Sequence, residues 1–557
     1  MIFIDHILIF LQISIVCLFL AQCGFLLKKF IFLEHDNKNF EENGLFGFLL
    51  VGFISLTINF FYPLNVIVNN IIFVLLFIVS FLANYFDQNK IKLIKKIFFI
   101  SFFCYILIIY SNVNTPDALL YHLPYSKIIN EEKIIFGLSN IHFRFGFISI
   151  FQYISSFFNN SLLKENGVLI PIGLLVSYFF IYCYRLFKSD FKKDLLRPKS
   201  YYTFLILIFS LYSFNRYSGY GNDAQTHIFY FFGILYLLDF ITKKKDLLVF
   251  KKLSLIFLFT FFTKASYLIT LIIPFVIFLL IRKNYIIIKS KFFVFSFLFI
   301  TFWLMKSFFT TGCLIYPVEK TCFKNVVWFD SSVQKISAET EAWAKAWPRN
   351  LNRNLSHAEY NKDLNWASTW LNSHLFIIIE KISPVLIFLI INFLFFYLTR
   401  CLKKNYQNSN NKSYFSIFFI SLIFLFVWFL KFPTYRFGVS FIYTFIIFSI
   451  YFIFIRKIDF IKIKKYYNFF IFFIITLTCL IVAKNVNRIL ETNNKQISPH
   501  MFDPLDQGNY TKIFNKDKIF TYYNKDKACG YSAPPCSNTK IELIKEIFLG
   551  YTIYYTY

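Results

Sequence analysis

The sequence predicts an all-α, polytopic transmembrane helix bundle of roughly 12–14 spans, and three observations predict it. Hydrophobic residues make up 57% of the 557 positions, with a mean hydropathy of +0.56; no soluble domain hides that much apolar surface. Apolar runs recur along the chain, several of them shorter than the ~20 residues a perpendicular helix needs to cross the hydrocarbon. The Lys and Arg residues gather in the short loops between those runs, as membrane anchors do. A net charge of +28 would otherwise suggest a nucleic-acid partner. Its confinement to loops argues against one.

In chain order, spans are expected near 3–27, 44–62, 66–86, 97–113, 166–187, 201–215, 223–241, 253–263, 265–281, 292–311, 374–399, 414–430, 438–455 and 467–484. The first run ends at Lys28-Lys29 and has no basic segment before it, so it reads as an uncleaved span rather than a signal peptide. Leu20-Ala21-Gln22-Cys23 is a poor lipoprotein cleavage site because of Gln22. The pair of short runs around Lys264 is expected to be re-entrant or tilted. Phe145–Phe158, apolar but carrying Gln152, is expected to be an interfacial helix on the outer face.

Loop charge sets the orientation. Segments 28–43, 87–96, 185–200, 242–252, 282–291, 400–413 and 456–466 hold 31 Lys and Arg; the alternating set 63–65, 114–165, 215–222, Lys264 and 431–437 holds eight. The first set is therefore expected in the cytoplasm. The second set, the loop 312–373 and the tail 485–557 are then expected outside. Cys17, Cys23, Cys104, Cys183 and Cys479 fall in apolar runs and Cys401 at a boundary. The remaining four form two close pairs in outward segments, Cys313/Cys322 and Cys529/Cys536, and are expected to be disulfides. Trp343/Trp347 and Trp366/Trp370, each four apart, would each share a helical face in the outer loop. An aromatic belt at the membrane surface or stacking on a sugar or headgroup would both use such pairs.

One polar stretch stands out, Asn114–Gln152, with Asp117, His122, Lys127, Glu131, Glu132, His142 and Arg144. Its start reads as a helix N-terminus, with Thr115 as cap, Pro116 in the first turn and Asp117 facing the positive end of the dipole. An acid held between spans is a functional-site candidate, although capping a surface helix would also account for it. Three later polar spots share its membrane face: NRYSGYGND, ending in Asp223; Thr263-Lys264; and KFPTYRFG, carrying Arg436. Helix capping by Asp223, snorkelling by Lys264 and lipid-phosphate pairing by Arg436 are the simpler readings. Together, however, they are the ingredients for transfer from a lipid-linked phosphate donor. A carboxylate deprotonates an acceptor hydroxyl, cations stabilise a departing phosphate, and a nearby acid stabilises an oxocarbenium-like transition state.

The order of these features resembles the GT-C class of integral membrane glycosyltransferases. An acid-bearing outer loop, here D-A-L-L-Y-H-L-P from Asp117, precedes an interfacial helix, then Asn222-Asp223 before a span, then Thr263-Lys264 between spans. The resemblance covers residues 97–311. It implies a polyprenyl-phosphate-linked sugar as donor, Asp117 as catalytic base and Asp223 as the second acidic position of the catalytic pair, a positioning or metal-binding acid. Ala118 follows where the class carries a paired acid, so the base role falls on Asp117 alone. His122, Arg144, Lys264 and Arg436 are then the substrate-binding candidates. The chain also looks like a group of uncharacterised bacterial membrane proteins with Gly-Cys-x-x-Tyr-Pro, here residues 312–317, and Pro-x-x-Arg-Phe, here 433–437.

The expected organisation is N-terminal spans 1–96, a core 97–311 with the outer loop 114–165, a Trp-rich loop 312–373, C-terminal spans 374–484 and the tail 485–557. The expected function is inverting glycosyl transfer at the outer face of the cytoplasmic (inner) membrane of a bacterial cell. The acceptor would be a cell-envelope glycan, lipid or protein, and no metal or other cofactor is expected, nor any nucleic-acid partner. A glycan polymerase or ligase, which would depend on Arg436 and the loop 312–373, is the alternative enzyme. A lipid-glycan flippase or transporter would require internal repeats and mid-span charges, and neither is evident.

Overall fold

The computed structural model describes residues 2–34, 39–83, 90–111, 117–191, 198–214, 217, 219–242, 246–281, 284–350, 354–398, 411–453, 467–492, 510–515, 519–524, 529, 531, 536–537 and 543–556. It is an all-α bundle, and over the described residues each expected apolar run falls on a helix. In order these are α1 (Ile2–Leu27), α2 (Phe40–Asn59), α3 (Val66–Leu82), α4 (Lys90–Ser111), α5 (Leu123–Glu131), α6 (Ile150–Phe157), α7 (Ile170–Phe191), α8 (Pro198–Tyr212), α9 (Asp223–Thr242) and α10 (Leu247–Thr263). There follow α11 (Ile272–Leu280), α12 (Asn284–Ile288), α13 (Lys291–Thr311), α14 (Val333–Ala344), α15 (His357–Asn361), α16 (Ala367–Trp370), α17 (Phe376–Leu398), α18 (Asn411–Lys431), α19 (Tyr435–Ile453) and α20 (Tyr467–Thr492). Among the described residues six helices are long and apolar enough to cross a membrane, and three shorter apolar ones accompany them.

Helices α1 and α2 pack closest, because glycine lets their backbones meet. A Cβ at Gly24 would lie 1.7 Å from the Asn43 carbonyl oxygen, and one at Gly47 1.9 Å from that of Leu20. No side-chain rotation relieves a clash with backbone. Gly47→Ala is therefore expected to force the helices apart at a cost of about 1–3 kcal/mol, read as a lower unfolding midpoint in detergent. An unchanged midpoint would contradict the close approach.

Helices α9 and α10 run between two charged clusters. Asp223 opens α9, while Tyr236, thirteen residues on, donates to Glu42 Oε1 at 2.6 Å; at 1.5 Å per residue the two ends lie ~20 Å apart. Likewise Lys252, near the start of α10, pairs with Glu42 at 3.0 Å, and Lys264 follows the end of that helix. Lys28, Lys96, Arg185, Lys199 and Lys252, all outside the candidate site, make ion pairs with Glu34, Glu41, Glu42 or Asp239.

Several local expectations are revised. The segment expected to be interfacial forms α6 only over Ile150–Phe157, and all eight of its residues are buried within the protein. It packs against α2, α5 and α10. Its serine and glutamine satisfy its own first turn: Ser149 Oγ accepts from Phe151 N at 3.2 Å, and Gln152 Oε1 accepts from Ser149 N at 2.9 Å. Trp343 and Trp347 do not share a helical face. Helix α14 ends at Ala344, and Ala346 adopts a φ of 71°, turning the chain before Trp347. Trp366 and Trp370 do share one, but both are buried against Phe429, and Trp370 donates to the Pro433 carbonyl at 2.6 Å. They pack the protein instead of forming a surface belt. The chain at Lys264 is extended, with a 3₁₀ stretch, Ala265–Leu271, before α11.

Cys313 and Cys322 are disulfide-bonded as expected. Cys529 is also disulfide-bonded; the side chain of its expected partner, Cys536, and Cys401 lie outside what is described. The tail adds two small sheets, β1 (Tyr510–Asn515), β2 (Ile519–Asn524) and β3 (Cys536–Ser537) in one and the hairpin β4 (Ile544–Phe548) and β5 (Tyr551–Tyr555) in the other. The hairpin returns to the polar stretch: Phe136 N donates to Thr552 O at 2.9 Å and Tyr554 N to Phe136 O at 2.8 Å. Tyr531 donates to Asn130 Oδ1 at 2.5 Å.

Candidate functional site

At the end of the bundle opposite Glu42, five charged side chains from distant parts of the sequence meet. Asp117 opens a π-helical turn, Ala118–His122, that runs into α5. Thr115 and Pro116, its expected cap and first-turn partners, lie outside the described residues. Asp117 makes no capping hydrogen bond with its side chain. Its carboxylate instead accepts from two guanidiniums, Arg144 Nη1 to Oδ1 at 2.8 Å and Arg436 Nη1 to Oδ2 at 3.1 Å. Arg436 Nε also lies 4.0 Å from Asp223 Oδ2. The other Asp223 oxygen takes the Lys264 ammonium, which in turn sits 3.5 Å from the centroid of the Phe437 ring. Three cations against two carboxylates leave one net positive charge.

Each position follows from local structure. Asp223, in the first turn of α9, suits the positive end of that helix dipole. Arg436 occupies the first turn of α19, where the dipole opposes a cation; Asp117 and Asp223 offset that. Its backbone is held by His227, one turn below Asp223 on α9, whose Nε2 lies 2.9 Å from Arg436 O. Tyr267 donates to Phe437 O at 3.0 Å, joining the chain after Lys264 to the start of α19. Arg144 lies in a 3₁₀ turn, Phe143–Phe147, capped by His142, whose Nδ1 accepts from Arg144 N at 3.3 Å. Burial and the adjacent Arg144 depress the His142 pKa to about 4, which suits that acceptor role. The Arg144 guanidinium stacks 5.0 Å from the Tyr121 ring centroid.

His122 lies behind the cluster. Its Nδ1 is 2.6 Å from Gln152 Nε2, and that amide also reaches Asn222 Oδ1 at 3.3 Å. Burial drives the His122 pKa down to about 3, against the opposing pull of Asp117 and Asp223. Tyr121, beside it, is pushed up to about 12 by burial, with Asp117 adding to the shift.

The family comparison covers this site. A family model described as a domain of unknown function, DUF8201, matches residues 6–443. The chain belongs to that family. The DUF8201 match takes in all five ionic residues and ends before the tail. No curated protein and no solved structure matches the chain.

Two short segments, Gly312–Pro317 and Pro433–Phe437, both support the site. In Pro433–Phe437, Arg436 pairs with the acids and Phe437 underlies Lys264. In Gly312–Pro317, Tyr316 packs on Gly146, where a Cβ would meet its ring at 2.5 Å, and so backs the turn that carries Arg144. Sequence reasoning found Asp117, His122, Arg144, Asp223, Lys264 and Arg436, and the fold brings them together. It missed Gln152 as a site residue, along with Tyr121, Asn222, His227 and Tyr267. Two of these left signals: a glutamine within an apolar helix, and a histidine four residues after Asp223, on the same face.

Proposed function

We propose that this chain is an inverting membrane glycosyltransferase that moves a sugar from a polyprenyl-phosphate donor to a cell-envelope glycan, lipid or protein. The observation that carries the reading is the junction of Asp117 with Arg144, Arg436, Lys264 and Asp223. It sets a base beside cations suited to a phosphate leaving group. Asp117 takes the proton of an acceptor hydroxyl as that oxygen attacks the anomeric carbon. The bond from that carbon to the phosphate oxygen breaks, and polyprenyl phosphate leaves as an anion.

Both oxygens of Asp117 are engaged by guanidiniums, so exchange of one of them on donor binding would make the carboxylate a stronger base. Arg436 is suited to that exchange because its side chain is 59% exposed, against 32% for Arg144. A lipid phosphate that draws Arg436 away releases Oδ2 to accept a proton. Base activation is then coupled to donor binding. Asp223 keeps Lys264 in place and shares Arg436. An outward-facing site in the cytoplasmic membrane is supported by the Lys- and Arg-rich opposite end, by the loop charges and by the Cys313–Cys322 disulfide.

The test uses the full chain in nanodiscs with a labelled polyprenyl-phosphate sugar. Arg436→Ala is expected to lower kcat/KM about 100-fold and to abolish thermal stabilisation by polyprenyl phosphate. Arg436→Lys should restore part of the binding, since a point charge still attracts phosphate but forms no bidentate pair. Equal stabilisation of wild type and Arg436→Ala by polyprenyl phosphate would remove the phosphate from this site.

A further inference from the structure

The hydrogen bonds around Gln152 determine which nitrogen of His122 carries a proton. A backbone N–H can only donate, so the group 2.9 Å from Ser149 N must be the Gln152 carbonyl oxygen. The other end of that amide is then the NH₂, which donates to His122 Nδ1 at 2.6 Å and to Asn222 Oδ1 at 3.3 Å. His122 Nδ1 is thus an acceptor, and the single proton of the neutral ring resides on Nε2. The amide orientation is enforced by the α6 cap, so the tautomer is fixed by the backbone of a buried helix.

Nε2 has no hydrogen-bond partner among the described residues, though the residue is 5% exposed. Its own chain neighbours aside, a Cβ built on Gly221 would meet only His122 among the described residues, with Nε2 3.7 Å away. The rings of Tyr121 and Tyr220 flank the imidazole, with centroids 4.1 and 6.4 Å away. Of the charged groups around it, Asp117 and Asp223 favour the imidazolium while Lys264 and Arg144 oppose it, and burial outweighs them all. The ring is neutral across physiological pH.

We infer that His122 is a neutral hydrogen-bond donor, locked in its Nε2–H form by Gln152, and that with Gly221 it makes a subsite for an uncharged ligand oxygen, a carbohydrate hydroxyl. An imidazolium would suit a phosphate; a neutral N–H suits a hydroxyl, and the three cations nearby already serve the anion. Gln152 is the positioning residue, acting on the ligand only through the ring. This assignment rests on the transfer reading for its choice of a sugar, whereas the tautomer stands on geometry alone.

The test is ¹⁵N NMR of the histidine-labelled full chain in detergent micelles, with methyl glycosides and, separately, inorganic phosphate as probes. His122→Gln identifies the His122 signals among the eight histidines. Expected are an unprotonated Nδ1 and a protonated Nε2, unchanged between pH 5 and pH 8. A methyl glycoside should move the Nε2 signal, and phosphate should not. Gly221→Ala, which adds a methyl at ordinary contact distance and so leaves the fold intact, should abolish that glycoside response. Gln152→Glu offers Nδ1 an acceptor in place of a donor and should shift the proton to Nδ1.

A protonated Nδ1 in the wild type, or titration between pH 5 and pH 8, would overturn the assignment. So would a response to phosphate alone, or to no glycoside. Glycoside binding at Nε2 without transfer from any lipid-linked donor would leave the subsite standing and remove the transferase reading. Transfer by a protein whose His122 carries its proton on Nδ1 would do the reverse.

Discussion

Asp117→Asn is expected to lower transfer by about 10²–10⁴-fold, the range contributed by a positioned general base. The substitution keeps the shape of the side chain and one acceptor oxygen, so Arg144 or Arg436 retains a neutral partner. What is lost is the ability to take a proton and half of the anionic charge in the cluster. The measurement is single-turnover transfer in nanodiscs, with donor supplied well above its dissociation constant. A loss confined to kcat, with donor-induced thermal stabilisation preserved, is the signature of a base. Unchanged kcat would exclude Asp117 from that role. Asp223→Asn should behave differently, because Asp223 holds Lys264 and shares Arg436. Its loss is expected to weaken donor binding as well as turnover.

At the other end of the bundle, Glu42→Ala is expected to destabilise the protein by about 3–5 kcal/mol. Glu42 Oε1 accepts from Tyr236 at 2.6 Å and from Lys252 at 3.0 Å, and lies 3.6 Å from Lys28. Lys28 is fully buried and Lys252 nearly so. Glu34 is the other carboxylate in contact, 3.4 Å from Lys28 and 2.5 Å from Lys252. Removing Glu42 would leave two buried ammonium groups to share one acid, and desolvation of a charge without a counter-ion is the dominant cost. The cluster ties the chain just after α1 to α2, α9 and α10, so the penalty should appear as global unfolding. Intrinsic fluorescence during thermal unfolding in detergent gives the comparison. Glu42→Ala combined with Lys28→Met removes one of the stranded charges and should recover part of the loss. A single mutant that unfolds with the wild type would refute the buried network.

The helices were legible because the bilayer imposes a length and an apolarity that composition cannot disguise. The polar interruptions at Asp117, Asp223, Lys264 and Arg436 were legible for the complementary reason: charges at span ends stand out against an apolar background. The burial of α6 was not. An apolar helix with one glutamine has the same pattern whether it lies at a lipid surface or inside a protein, and only its neighbours α2, α5 and α10 distinguish the two. The tail was also opaque. Its hairpin pairs with Phe136 across more than four hundred residues, through backbone groups that carry no residue-specific signal. Trp343 and Trp347 misled because a four-residue spacing implies a shared face only if the helix continues between them.

By itself the sequence determined the class of the molecule, a polytopic helix bundle whose Lys and Arg gather in one alternating set of loops, since these depend on local composition and length. It also named the charged residues that a site would need. Only the tertiary structure decided that Asp117 faces Arg144 and Arg436 instead of capping its own helix, and that Gln152 sets the proton on His122. Such pairings depend on where distant helices cross and how their ends meet. A carboxylate and a guanidinium 319 residues apart carry no mark in the chain that they will lie within a hydrogen bond of each other.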